Sequence, residues 1–134
     1  MLIGDMMTNG PVTVSSWDTL RKAAEIMKNG GFRRLPVGER GRLVGIITDR
    51  DIRSHIGFLD STSIGSAMTA NPKTINPRMT VEDAARLMIE HKIDGLPVLD
   101  KGKLVGILTS TDVMKAFLQV EAGVQGVRDH EPIL

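Results

Sequence analysis

The sequence has no cysteine and no tyrosine, one tryptophan and three phenylalanines in 134 residues. Without cysteine there is no disulfide, no thiolate nucleophile and no cysteine-based zinc or iron–sulfur site. Aromatics at 3% leave little from which to build a base-stacking surface, which counts against binding of RNA or single strands. A net charge of +1 gives no overall pull toward DNA or an anionic membrane. No apolar run approaches the roughly 20 residues of a membrane span. Residues 1–5 lack a basic start followed by an apolar core, so no signal peptide is expected and the default compartment is the cytoplasm. His55, His91 and His130 have no metal-ligand spacing. No nucleophile–base set and no Walker-type loop is present, so an enzyme is not expected.

What is there is the composition of an ordinary globular protein, 41% hydrophobic and 25% charged. The length suits one domain, or two very small ones that share a core. The dominant feature is an internal duplication. Leu43-Val44-Gly45-Ile46-Ile47-Thr48-Asp49-Arg50-Asp51 returns 61 residues later as Leu104-Val105-Gly106-Ile107-Leu108-Thr109-Ser110-Thr111-Asp112. The same offset superposes 4–52 on 65–113 without a gap, and roughly two positions in five are identical, far above chance. Two repeats are too few for a solenoid, so a pseudo-symmetric pair is the economical arrangement.

Each copy reads as β-α-β-β-α. A short extended piece (12–14, then 74–75) precedes a helix at about 20–29 and 81–91. Leu20, Ala23, Ala24 and Met27 carry helical spacing, as do Val81, Ala84, Ala85 and Met88. Thr80-x-x-Asp83 fits a capping box, whereas Thr19-x-x-Lys22 has the cap without the acidic partner. Two strands follow, 35–37 to 43–48 and 96–99 to 104–109, each pair joined by a turn whose Gly41 or Gly102 supplies positive φ. A second helix opens at the Thr, about 49–56 in the first copy and 110–120 in the second. The expected fold is α/β of the α+β type, two tandem units with small mixed sheets packed about a pseudo-two-fold axis. The expected division is 1–60 for the first unit with its lead-in, 61–120 for the second, and a loosely ordered tail over 121–134.

The string Phe32-Arg33-Arg34-Leu35-Pro36-Val37, followed by Leu43-Val44-Gly45-Ile46-Ile47-Thr48-x-x-Asp51-Ile52, resembles the CBS domain. Met7-Thr8-x-x-Pro11-x-Thr13-Val14 and Met68-Thr69-x-x-Pro72-x-Thr74-Ile75 fit the family's opening. Two in tandem resemble a CBS pair, or Bateman module, over about residues 3–120, and the pattern is similar to the CBS portion of acetoin-utilisation proteins. The resemblance implies a regulatory module that binds an adenosine-containing ligand (AMP, ADP, ATP or S-adenosylmethionine) in clefts between the units. It implies no obligatory cofactor, a homodimer, and an output passed to a regulated protein partner. Neither nucleic acid nor membrane is expected as a partner. The alternative is a ligand-free module for dimerisation or protein interaction.

The candidate site residues carry two readings each. Thr48-x-x-Asp51 and Thr109-x-x-Asp112 are helix N-cap signatures. Equally, a helix N-terminus presents free N–H groups suited to a phosphate. A carboxylate three residues on can accept from ribose hydroxyls. The two roles are compatible. Thr13, Val14, Thr74 and Ile75 are either core strand or, as the resemblance implies, a backbone edge for adenine with an apolar face against it. Arg33 and Arg34 are either a solvated edge or, by resemblance, cleft residues that meet phosphate bidentately. Their counterparts are Asp94 and Gly95, so two unequal clefts are expected. Arg50, facing Thr111 at the same offset, and Arg53 are further candidates.

Overall fold

The computed structural model describes residues 1–125. The first copy contains α1 (Ile3–Met6), β1 (Thr8–Asn9), β2 (Val14–Ser15), α2 (Leu20–Gly30), β3 (Arg34–Glu39), β4 (Arg42–Thr48) and α3 (Asp49–Arg53). The second contains α4 (Ile64–Ala67), β5 (Thr69–Ala70), α5 (Val81–His91), β6 (Gly95–Asp100), β7 (Lys103–Thr109) and α6 (Ser110–Gln125). The class is mixed α+β with two small sheets, ordered β2-β3-β4-β5 and β1-β7-β6.

Local chemistry explains the elements. In α2 the buried Leu20, Ala23 and Met27 form one stripe, and in α5 Val81, Ala84 and Met88 do the same. Thr80 Oγ1 accepts from the Asp83 amide at 3.1 Å, and the Asp83 carboxylate accepts from the Thr80 amide at 3.1 Å. The expected capping box is therefore formed. The β3–β4 and β6–β7 hairpins turn on two residues with positive φ, Arg40 and Gly41 at 51° and 78°, Lys101 and Gly102 at 51° and 79°. Two consecutive positive φ angles match the right-handed twist of the strands that they join.

The sheets do not follow the copies. β1, from the lead-in of the first copy, pairs antiparallel with β7 of the second, Thr8 opposite Ile107. β5 pairs with β4 of the first copy, Thr69 opposite Ile46. The short helices cross over too. The Ile3 and Gly4 amides donate to the Met79 and Pro77 carbonyls, each at 2.9 Å, and the Ile64 and Gly65 amides donate to Asp18 and Ser16 at 2.7 and 2.8 Å. Ile3, with no exposed surface, packs with Ile75, Val81, Leu96, Val98 and Leu108. Ile64 packs with Val14, Leu20, Leu35, Val37 and Ile47. Each lead-in thus completes the core of the other unit, and full burial of one such side chain contributes about 1.5–3 kcal/mol. Every one of these contacts has its counterpart at the 61-residue offset, which is the pseudo-two-fold relation.

Three expectations are corrected in detail. The extended piece of the first copy is β2 at Val14–Ser15, but the second copy keeps a single bridge, Ile75 to Val98. There Asn76 and Pro77 turn the chain at once, with Asn76 Oδ1 accepting from the Arg78 and Met79 amides at 2.9 and 3.1 Å. The second helix of the first copy ends at Arg53, ahead of a turn through Gly57 (φ 94°). Its counterpart α6 runs through Gln125, past the fading of hydrophobic periodicity at Val120; Leu118 stands there at the offset position of Gly57. The rest of the expected tail, 126–134 with His130, lies outside the described residues. Among the described residues no helix is long and apolar enough to cross a membrane.

Candidate functional site

The exchange of lead-ins leaves two clefts between the units. The first, about 650 Å³, is walled by the end of β4 and start of α3 (Ile46, Thr48 to Asp51, Arg53), by Thr69 and Asn71 to Lys73 from the other lead-in, and by the end of α5 into β6. The second, about 290 Å³, is walled by Ile107, Thr109, Ser110 and Thr111, by Thr8 and Gly10 to Val12, and by Gly31 to Pro36. The volumes lie at the scale of small-molecule pockets. Wall for wall, the two clefts are counterparts at the 61-residue offset.

In the first cleft the cap and the open carboxylate coexist. Asp51 Oδ2 accepts from the Thr48 amide at 2.9 Å and from Thr48 Oγ1 at 3.0 Å, while Thr48 Oγ1 accepts from the Asp51 amide at 3.3 Å. Oδ1 has no protein partner among the described residues, so one oxygen holds the helix start and the other is open to a donor. Thr109 and Asp112 repeat the geometry at 2.8, 3.1 and 3.3 Å. Asp112, however, is only 8% exposed and does not line the second cleft, whereas Thr109 does.

Charge separates the clefts. Six cationic side chains line the first (Arg33, Arg34, Arg50, Arg53, Lys73, Lys92) against three carboxylates (Asp49, Asp51, Asp94). The second has Arg33 and Arg34 against Asp94, and its remaining wall includes Pro11, Val12, Phe32, Leu35 and Pro36. Arg33 and Arg34 therefore face both clefts, a point that packing had to decide. Arg34 donates from a terminal nitrogen to Asp94 Oδ1. That hydrogen bond and the guanidinium charge hold the Asp94 carboxyl below its ordinary range, against partial burial. For Asp49, partial burial pushes upward, but the hydrogen bond and charge of Arg53, with the charge of Arg33, outweigh it and hold the carboxyl low. The Arg53–Asp49 contact is 3.1 Å and the Arg33–Asp49 contact 3.7 Å.

Four candidates lie elsewhere. Val14 and Ile75 are 5% and 3% exposed, inside the two cores. Their strand edges are used, with Val14 paired to Val37 and the Ile75 amide donating to the Pro97 carbonyl at 3.1 Å. Neither they nor the exposed Thr13 and Thr74 line a cleft; the wall there is made by the residues just before them, Pro11 and Val12, Pro72 and Lys73. Gly95 is buried on the wall of the first cleft. Lys73, Asn71 and the α5 end with His91 and Lys92 were not singled out by sequence. For Asn71, Lys73 and Lys92 the signal available was the offset itself, since their counterparts Gly10, Val12 and Gly31 line the other cleft; His91 has no such counterpart.

Two small α+β units that exchange lead-ins and leave paired clefts define a tandem two-unit module. The CBS domain family model matches residues 3–57 and 64–119, and the chain belongs to that family. Among curated relatives, the CBS domain-containing protein YhcV of Bacillus subtilis is 38% identical over 114 residues, spanning 83% of this chain and 81% of YhcV. Among solved structures, CBSX2 in complex with AMP superposes with a TM-score of 0.82 at 32% identity, covering 90% of this chain and 98% of CBSX2. The CBS domain pair of protein MJ0100, in complex with 5-methylthioadenosine and S-adenosyl-L-methionine, gives 0.81 at 33%, covering 87% and 95%. A putative acetoin utilization protein from Vibrio cholerae gives 0.80 at 26%, covering 99% and 98%.

Proposed function

We propose that this chain is a regulatory module, not an enzyme, that binds an adenosine-containing ligand of the AMP, ADP or ATP class, or S-adenosylmethionine, in its inter-unit clefts and signals to a protein partner. The observation that carries it is Asp51. One carboxylate oxygen caps α3 and the other is open on a cleft wall with six cationic side chains. A ribose donating to Oδ1 and phosphates among the arginines would use both features, and charge-assisted hydrogen bonds contribute about 1.5–3 kcal/mol each. The structural likeness to proteins solved with AMP and with S-adenosyl-L-methionine supports the same ligand class. Signalling would follow from differential affinity for two arrangements of the units or of two protomers.

The test is a thermal-shift panel of AMP, ADP, ATP and S-adenosylmethionine. A ligand at about 100 times its Kd adds about 2.7 kcal/mol, several degrees in Tm for a domain of this size. Asp51→Ala is expected to weaken that ligand roughly 10- to 100-fold. No shift with any member overturns the reading. Turnover of ATP with Mg²⁺ that is lost in Asp51→Ala would make the protein an enzyme instead.

A second reading, a dimerisation or protein-interaction module without ligand, has one observation in its favour. On α6, Met114, Phe117 and Leu118 are 59%, 62% and 64% exposed at helical spacing, an apolar face without a partner among the described residues. The face fits the homodimer expected of the family and is compatible with ligand binding. Sedimentation of the wild type and of Phe117→Glu tests the dimer, which the charge is expected to dissociate.

A further inference from the structure

The Arg34–Asp94 pair has no symmetry copy. At the 61-residue offset Asp94 is the counterpart of Arg33, and Gly95 that of Arg34. The pair therefore crosses from one unit to the other once, where the pseudo-two-fold relation would require twice. The geometry shows why it is single. The Arg34 stem lies over Gly95, so that a Cβ at 95 would collide with Arg34 Cδ. In this placement the arginine occupies the space that glycine leaves in the second copy. Its side chain is 11% exposed, and that of Asp94 54%. Both residues line both clefts. Arg33 also lines both, but its side chain is 74% exposed and only loosely paired.

Resting on the adenosine reading above, we propose that Arg34 is a specificity-determining residue shared by the two clefts. Anionic ligands in the two clefts contend for one guanidinium. A guanidinium is a planar fork that matches a phosphate bidentately. Among the described residues its side-chain hydrogen bond is to Asp94 alone, so a phosphate in either cleft offers it a second partner. With one terminal nitrogen engaged by Asp94 and its stem packed over Gly95, it turns its free edge to one cleft at a time. A phosphate that draws the guanidinium off Asp94 leaves that carboxylate, which borders both clefts, without its cation, so the other cleft favours an uncharged or cationic adenosine derivative. Anionic nucleotides therefore fill the clefts with negative coupling, and uncharged adenosine does not.

Ile46 and Ile107 give one methyl reporter per cleft. Isoleucine-methyl NMR is followed during titration with AMP and, separately, adenosine. Asp51→Ala weakens the first cleft and releases Arg34. The AMP midpoint read at Ile107 is then expected to fall at least 3-fold, while the adenosine midpoint at Ile107 stays put. The gain is expected to vanish when Arg34→Met is added, a change that keeps an aliphatic stem over Gly95. Asp51→Asn replaces Asp51→Ala should the latter fail to fold. An unchanged Ile107 midpoint for AMP, or the same gain with Arg34→Met present, overturns the sharing alone. No AMP response at either methyl overturns both the sharing and the reading on which it rests.

Discussion

Gly106 of one repeat lies against Met7 of the other. A Cβ on Gly106 would come within 2.6 Å of Met7 Sδ and 2.8 Å of the Thr8 carbonyl oxygen. Gly45 stands in the same relation to Met68 and to the Thr69 carbonyl oxygen, the latter at 2.9 Å. The glycine inside the duplicated apolar run is thus the gap through which the other copy's lead-in passes. Because one of the crowding atoms is backbone in each case, a side-chain rotation cannot relieve the clash.

Gly106→Ala and Gly45→Ala are each expected to destabilise by about 1–3 kcal/mol, the usual range for overpacking. Urea unfolding measures this as a lower midpoint. Gly38→Ala is the control, since its Cβ would meet only the Arg42 carbonyl oxygen at an ordinary 3.5 Å. Equal losses at all three positions would count against the crossing as the cause.

Ile64→Ala is expected to cost about 2–5 kcal/mol, as for other large-to-small changes at fully buried sites. The informative measurement is where the damage falls. Ile64 lies in the second copy but packs in the first unit's core. Hydrogen exchange should therefore quicken more at the Ile47 amide than at that of Leu108. Ile3→Ala should reverse the order. Damage confined to each residue's own copy would contradict the exchange.

Thr80→Ala is expected to cost about 0.5–2 kcal/mol, because it removes the acceptor for the Asp83 amide. Thr19→Ala should cost less. Thr19 accepts from the Lys22 amide at 3.3 Å, but the lysine gives nothing back to the cap. Chemical denaturation of the two variants ranks them.

The Arg34–Asp94 pair has a pH signature. The Asp94 carboxyl is held below its ordinary range in the folded chain, chiefly by the Arg34 hydrogen bond. A depressed folded value means that the contribution is complete above the unfolded value of about 3.9 and is lost as pH falls through the lower folded value. Tm against pH should therefore drop through that window, and Asp94→Asn should flatten the drop. An unaltered slope in Asp94→Asn would place the proton uptake elsewhere, with Asp49 the next group to examine.

Much of this protein was legible in its sequence. Helical spacing marked α2 and α5, Gly41 and Gly102 marked both hairpins, and the two Thr-x-x-Asp strings marked both strand-to-helix caps. These are local signals, since each depends on residues within about one turn of one another. The lead-ins were not legible. A four-residue helix and a two-residue strand, as in α1 and β1, carry no period to detect, and they exist because another unit's strand edge and core receive them.

The candidate site divides the same way. The sequence by itself determined the duplication, the family pattern, the capping geometry of Asp51 and the charge difference between Arg33-Arg34 and Asp94-Gly95. Tertiary structure decided which of these residues meet. It withdrew Val14 and Ile75 into the cores, buried Asp112 beneath its cap, brought Lys73 across from the other lead-in, and set Arg34 on Asp94 between the clefts. The physical reason is that spacing along a chain fixes what a single helix or strand presents, whereas a cleft is made where two units pack. That packing followed from which core each lead-in could fill.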